Sequence, residues 1–202
     1  MKLYDFTRAP NPRRVRIYLA EKGIQVPTEQ VNIVSGDNRK PEFLSINPAG
    51  GVPVLQLDDG SYLPESLAIM EYFEELHPTP PMIGTTPVER ARVRAAERYS
   101  ELGVLMRVGA IFQHTSKMFA TRLKQVPEVA ESAIGQLNNS LAVLDKLIGS
   151  NAFVAGARPT IADCTLCAAL QFADLTHVEI DTKFGNVHRW YEAFKQRPSA
   201  NV

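Results

Sequence analysis

Residues 77–87 read HPTPPMIGTTP, four prolines and a glycine in eleven positions, and no other stretch divides the chain so sharply. Proline lacks the N–H that helix and sheet both use, and its ring clashes with the preceding helical turn, so neither element runs through such a segment. The patterns on its two sides differ. Before it lie short apolar alternations over residues 2–6, 30–34, 54–57 and 62–63, the last two joined by Asp58-Asp59-Gly60, which is hairpin-turn chemistry. Between the first two, Asn11-Pro12 opens a helical pattern through Val15, Ile17, Leu19 and Ala20 that Gly23 closes. A crossover of that length implies parallel pairing of the strands it joins. Pro64-Glu65-Ser66 then starts a helix carrying Leu67, Ile69, Met70, Tyr72, Phe73 and Leu76. The order β-α-β, then β-β-α, is that of a thioredoxin-like domain.

Beyond the proline run no strand pattern appears. Helices are expected over 88 to about 123, 129–148, 160 to about 174 and 184–196, followed by a frayed tail, RPSANV. The expected architecture is therefore α/β plus all-α: a thioredoxin-like domain over 1–78, a linker over 79–87 and a helical-bundle domain over 88–202.

Lys plus Arg number 22 and so do Asp plus Glu, a balance that leaves no overall basic field to hold nucleic acid or an anionic membrane. The opening MKLYDFTRAP is too short in apolar residues for a signal-peptide core, and no apolar run approaches a membrane span. A cytoplasmic setting is expected, with neither nucleic acid nor membrane as partner. Cys164 and Cys167, three apart in a helical pattern, read as small core residues, because a redox pair or metal site asks for helix-terminal placement or more ligands. His77, His114, His177 and His188 are scattered without metal spacing, so no metal is expected.

In a thioredoxin-like domain three loops meet at the end of the sheet where the first helix starts. The first, NPAGGVPV over 47–54, puts Pro53 at the start of a strand, where it cannot donate to the ladder; this suits an edge position or a cis peptide. A cis Val52-Pro53 bond leaves the Val52 N–H and C=O free to pair with an extended peptide. The second, Glu65-Ser66, stands at a helix N-terminus, which favours a carboxylate ligand; Ser66 can donate to it and Glu65 can pair with an ammonium. A serine there is also an ordinary cap. The third, RAPNPRR over 8–14, matches an N-cap at Asn11 with proline at the first helical position. A capping Asn uses its oxygen and leaves its NH2 free; with the helix N-terminus and Arg13, that donor favours a bound thiolate over a thiol.

Together these motifs resemble those of the glutathione transferase family: PNPRRVRIYLAEKG, NPAGGVPVL and the ES pair stand in the family's order and spacing over residues 1 to about 76. GARPTIAD over 156–163 looks like the family's capping box, with Thr160 as cap and Asp163 reaching back, and HRWYEAFKQRPS has the family's look as well. The resemblance implies that Val52 pairs through its main chain with the cysteinyl unit of glutathione, that Pro53 is cis, and that Glu65 and Ser66 hold the γ-glutamyl end. Where theta-like and zeta-like members carry a catalytic serine, and nu-like bacterial members a threonine, this chain has Ala9. Asn11 is left as the catalytic candidate for stabilising the thiolate. Gly50 and Gly51 replace a lysine that some members use for the glycyl carboxylate, so Asn38, Arg39 or Lys40 is expected to serve.

The activity so implied is attack of the glutathione thiolate on a small, apolar electrophile, glutathione being a co-substrate. A glutathione-dependent disulfide oxidoreductase and a non-catalytic protein-binding module are the alternatives. Tyr99, Gly103, Met106 and Ala110 share a helical face that either leaves room for an apolar substrate or packs against another helix. Arg90, Arg94 and Arg98 form a row whose repulsion needs relief, with Glu71, Glu74 and Glu75 as acidic counterparts, and family members pair through such regions; a homodimer is expected, with Glu97 or Glu101 near the partner's glutathione.

Overall fold

The computed structural model describes residues 1–202. The first half forms a four-stranded sheet from β1 (Lys2–Asp5), β2 (Thr28–Gln30), β3 (Val54–Gln56) and β4 (Tyr62–Pro64), with α1 (Pro10–Lys22), the short α2 (Pro41–Leu44) and α3 (Ser66–Leu76). The strand order is β2-β1-β3-β4. β1 runs parallel to β2 across the α1 crossover and antiparallel to β3, which pairs antiparallel with β4. This is the expected thioredoxin-like arrangement, with one shift: the second strand is Thr28–Gln30, not 30–34. All three of its residues are exposed on the sheet edge, so no alternation marks it, and the buried Val31 lies just past its end.

Gly23 ends α1 with φ 68°, in the left-handed region glycine tolerates best, and its N–H returns to the carbonyl of Ala20. The following residues 77–86 carry no regular element but are not slack: Met82 and Ile83 are buried, and both their N–H groups donate to Glu74 Oε1, at 2.7 and 3.2 Å.

The second half is helical. α4 (Pro87–Arg98), a π-helical segment (Tyr99–Leu105) and α5 (Met106–Thr115) follow one another directly, and α6 (Pro127–Ile148), α7 (Ile161–Thr176) and α8 (Gly185–Lys195) complete it. The first helical run ends at Thr115, short of 123, because Ser116 turns extended and its hydroxyl caps a following 3-10 turn. The expectation of a frayed tail is also overturned. Pro198–Asn201 form a 3-10 turn with Ser199 and Ala200 buried, and Arg197 grips Glu21 of α1 through Nε at 2.7 Å and Nη2 at 2.8 Å.

α7 is the axis of this half, with most of its residues buried. The capping box read from the sequence is present: Asp163 Oδ2 accepts from the Thr160 N–H at 2.9 Å and hydroxyl at 2.8 Å. Its Oδ1 accepts from Val154 N–H at 2.8 Å and Trp190 Nε1 at 2.9 Å. Cys164 and Cys167 lie inside this helix, fully buried and free. Burial pushes the Cys167 thiol up to about 12 and raises that of Cys164 well above the ordinary thiol value. One apolar core runs through both halves, from Leu3, Val15 and Ile17 to Val104, Leu141 and Leu166.

Candidate active site

The sheet register brings the three loops together. Tyr4 stands opposite Val54, and Val54 opposite Pro64, so the chain after β1, before β3 and after β4 emerges at one end of the sheet. There α1 begins, Pro53 enters β3, and Glu65 precedes α3.

α1 starts two residues earlier than an Asn11 cap implies. Ala9 is the N-cap, without a side-chain bond, and Pro10 is the first helical residue. Asn11 therefore sits inside the first turn, half-buried. Pro10 and Pro12 have no N–H, and Arg13 N–H returns to Ala9 O at 3.2 Å. Of the first-turn donors a helix ordinarily leaves open, only that of Asn11 remains, next to its own amide NH2.

The Val52-Pro53 bond is cis. Pro53 is buried and Val52 half-buried, and β3 is an inner strand, so Pro53 does not occupy an edge. The ladder begins at Val54, leaving the main chain of Val52 unclaimed by either neighbouring strand. The turn before it is fastened from residues 37–40: Asn38 Nδ2 donates to Gly50 O at 2.7 Å and Arg39 Nη1 to Ala49 O at 3.2 Å. Gly50 has φ +66°, and a Cβ there would lie 2.8 Å from Asn38 O. Lys40 is exposed and pairs with Asp37 at 2.6 Å.

Glu65 has φ 73° and ψ 115°, a strained setting for a residue with a side chain, and is exposed as the N-cap of α3. Ser66 is the first residue of that helix and does not cap it. Its Oγ accepts from Arg14 Nε at 2.7 Å, which leaves its hydroxyl proton free to donate. Arg14 is 1% exposed; its Nη1 donates to Glu97 Oε1 at 3.1 Å and its Nη2 to Glu101 Oε1 at 2.8 Å. Glu97 is wholly buried and its Oε2 has no hydrogen-bond partner. Burial pushes its carboxyl up to about 7 against the pull of Arg14, with Glu101 adding to the rise. Thr165 of α7 closes the cluster, its hydroxyl 3.4 Å from Glu97 Oε1. Both carboxylates engage Arg14 of their own chain, and Glu101 also engages Arg98.

The structure thus brings Asn11, Val52, Pro53, Glu65 and Ser66 to one end of the sheet. Arg13 turns to the other side of α1, where its Nη1 donates to Gln171 Oε1 of α7 at 2.9 Å. Arg14 was not among the residues the motifs singled out. The signal was available: it lies three and four positions before Ile17 and Tyr18, on the face of α1 that is buried. The shared face of Tyr99, Gly103, Met106 and Ala110 proves to be partly interhelical packing: a Cβ on Gly103 would sit 2.5 Å from the Ser140 side chain of α6. The π segment also breaks the spacing that aligned the four. The arginine row finds relief within the chain, Arg94 on Glu71 at 3.2 Å and Arg98 on Glu101 at 2.7 Å.

Residues 3–81 match the family description "Glutathione S-transferase, N-terminal domain", and residues 127–193 match "Glutathione S-transferase, C-terminal domain". The chain belongs to the glutathione S-transferase family. It is 34% identical to glutathione S-transferase 2 of Saccharomyces cerevisiae over 98% of this chain and 87% of that one. With maleylacetoacetate isomerase of Pseudomonas aeruginosa it shares 33% identity over 100% of this chain and 97% of that one. Among solved structures, a glutathione S-transferase domain-containing protein of Marinobacter aquaeolei superposes with a TM-score of 0.92 at 35% identity, over 99% of this chain and 100% of that one. The N-terminal family match contains all three site loops and Arg14. Glu97 and Glu101 fall in the interval between the two matched regions, where only the whole-chain relatives extend.

Proposed function

We propose that this protein binds glutathione at the sheet end formed by Asn11, Val52-Pro53 and Glu65-Ser66, and that it directs the thiolate onto an electrophilic carbon. The observation that carries the reading is the juxtaposition of an unclaimed Val52 main chain with a helix start, Ser66, backed by a buried arginine. Glutathione lies as an added strand on Val52, its cysteinyl N–H and C=O paired there. Its γ-glutamyl carboxylate meets the Ser66 hydroxyl and the open N–H groups of the first turn of α3, and its ammonium meets Glu65. Arg14, held by two carboxylates, fixes the orientation of Ser66. Lys40, exposed beside the turn, is the cation nearest in sequence for the glycyl carboxylate.

The thiol reaches the start of α1, where the Asn11 N–H and amide stabilise the anion. A free thiol ionises near 8.5, so lowering that value towards neutrality raises the nucleophilic fraction at pH 7, and fixed orientation lowers the barrier further. The protein acts as a homodimer, which gives the exposed Tyr62, Tyr99 and Leu102 an apolar surface to cover them.

Calorimetric titration with reduced and then oxidised glutathione, followed by conjugation to an aryl chloride, tests the reading. Saturable binding of the reduced form with release of chloride is expected. Binding of neither form overturns it in favour of a protein-binding module. Tight binding of the oxidised form with reduction of a small disulfide, and no conjugation, replaces it with disulfide chemistry.

A further inference from the structure

β1 passes to α1 through Phe6-Thr7-Arg8-Ala9, a connection that apolar packing alone does not fix: Thr7 and Arg8 are exposed, and Phe6 and Ala9 only half-buried. A ring of polar groups fixes it instead. The Thr7 N–H and hydroxyl both donate to Gln30 Oε1, each at 3.0 Å. Gln30 Nε2 in turn donates to Asp5 Oδ2 at 3.0 Å. The other oxygen of Asp5 accepts from Arg16 Nη1 at 2.5 Å, and Arg16 Nη2 closes the ring by donating to Thr7 O at 2.8 Å. Each polar group of Thr7 is thereby engaged. Asp5 ends β1, Gln30 ends β2 and Arg16 belongs to α1, so the ring ties the loop to every element it passes between.

The sheet does not need this ring. β1 and β2 pair through their main chains, Leu3 opposite Thr28 and Asp5 opposite Gln30, and the Val31 N–H continues the ladder to Asp5 O at 2.7 Å. Asp5 is 2% exposed, and a carboxylate taken out of water requires partners, which Arg16 supplies. Yet the guanidinium is turned so that one terminal nitrogen serves Asp5 and the other the loop, while Nε stays buried without a partner, a cost the fold accepts. Gln30 is exposed, where water would satisfy its amide, and still both ends of that amide are committed. In a closed ring the place of each member is set by two others, which makes the arrangement stiffer than the same bonds made separately.

What the loop carries is the start of α1. Its N-cap, Ala9, has no hydroxyl, so on the glutathione reading above the sulfur depends on the Asn11 N–H and amide for stabilisation of its charge. The Ala9 N–H donates to Phe6 O at 2.9 Å and Ala9 O accepts from the Arg13 N–H at 3.2 Å, bonds that carry the position of the loop into the first turn of the helix. Donors stabilise an anion strongly only when they are aimed at it in advance, because hydrogen bonds weaken steeply with distance and angle. We propose that Gln30 and Arg16, acting through Thr7, are positioning residues for the glutathione thiolate: the ring holds the start of α1 so that the Asn11 donors stay on the sulfur. The proposal rests on the glutathione reading, and the two residues act through the loop and not by contact with the substrate.

The test is Gln30→Met, which keeps the length of the side chain and removes its bonds to Thr7 and Asp5 at an exposed site, leaving the main-chain pairing of β2 intact. The thiol pKa of bound glutathione, read by ultraviolet titration, is expected to rise by about half a unit; the conjugation rate below that pKa then falls about threefold and recovers at high pH. Affinity for S-methylglutathione, which has no thiol proton, is expected to stay within about twofold by calorimetry. Thr7→Val removes the hydroxyl and keeps the N–H and carbonyl, so it moves the pKa the same way by less, and it keeps the test standing if Gln30→Met lowers the melting temperature. An unchanged thiol pKa overturns the proposal. So does a loss of S-methylglutathione affinity that matches the loss of rate, because that marks a general loosening of the site. Failure of the glutathione reading shows separately, as absence of glutathione binding by the unaltered protein.

Discussion

Arg14 Nε donates to Ser66 Oγ across 2.7 Å, and this bond joins the first helix to the start of the third, both buried at that point. The hydroxyl is thereby aimed by a side chain that two carboxylates hold on its other edge. Ser66→Ala should weaken glutathione binding about tenfold, which is about 1.4 kcal/mol and typical of a hydrogen bond to a charged group. Calorimetry reads the loss. The fold persists in the variant, because Arg14 keeps Glu97 and Glu101.

Asn11→Ala should raise the pKa of the bound glutathione thiol by about one unit and lower the conjugation rate at pH 7 about tenfold, with the rate recovering at higher pH. The effect is partial, because the residue 11 N–H survives the change. Ultraviolet titration of the bound thiolate and a pH–rate profile measure both parts. An unchanged thiol pKa removes Asn11 from the mechanism.

Glu97 gives a pH signature. Its folded-state pKa, about 7, lies above the ordinary 4.5, so between those values the folded chain holds a proton that the unfolded chain has released. Stability from this group is complete below about 4.5 and is lost as pH rises through 7. Glu97→Gln abolishes that slope, so the melting temperature of the native chain should fall relative to the variant between pH 5 and pH 8. Parallel curves for the two proteins would refute the assignment.

Asp163 accepts four hydrogen bonds while fully buried, tying α7 to Val154 and to Trp190 of α8. Asp163→Ala leaves those donors without an acceptor and should cost about 4 kcal/mol, since each buried unpaired group costs about 1–3 kcal/mol before relaxation. Thr160→Ala, which removes only the cap hydroxyl, should cost about 1 kcal/mol. Urea unfolding ranks the two.

The parts of the fold legible in the sequence are those where local chemistry and tertiary demand agree. β3 and β4 alternate around a genuine Asp-Asp-Gly turn, α1 stops at a glycine in the left-handed region, and Thr160 and Asp163 cap as their spacing says. β2 was misplaced because an exposed edge strand has no buried side to reveal it. The end of α5 carries neither glycine nor proline, so periodicity alone ran past it. The docked tail depends on Glu21, 176 residues away from Arg197, a partner that no local pattern can name. The site shows the same division: its three loops carry motifs, whereas the Arg14, Glu97 and Glu101 cluster joins residues up to 87 positions apart.

The π-helical segment, Tyr99–Leu105, makes the helical rod from Pro87 to Thr115 work as a gear. A π turn accommodates one residue more than an α turn would, and each α-helical residue advances the helix by about 100°. Everything after the segment is therefore clocked relative to everything before it: Glu97 faces Arg14, and Phe112, one helix later, faces Phe172. Deleting a single residue between 99 and 105 would let the rod relax to uniform α-helix. With Glu97 still anchored, Phe112 would keep its place against Phe172, whereas winding the full-length rod as uniform α-helix would turn α5 by about 100° and carry Phe112 away from it.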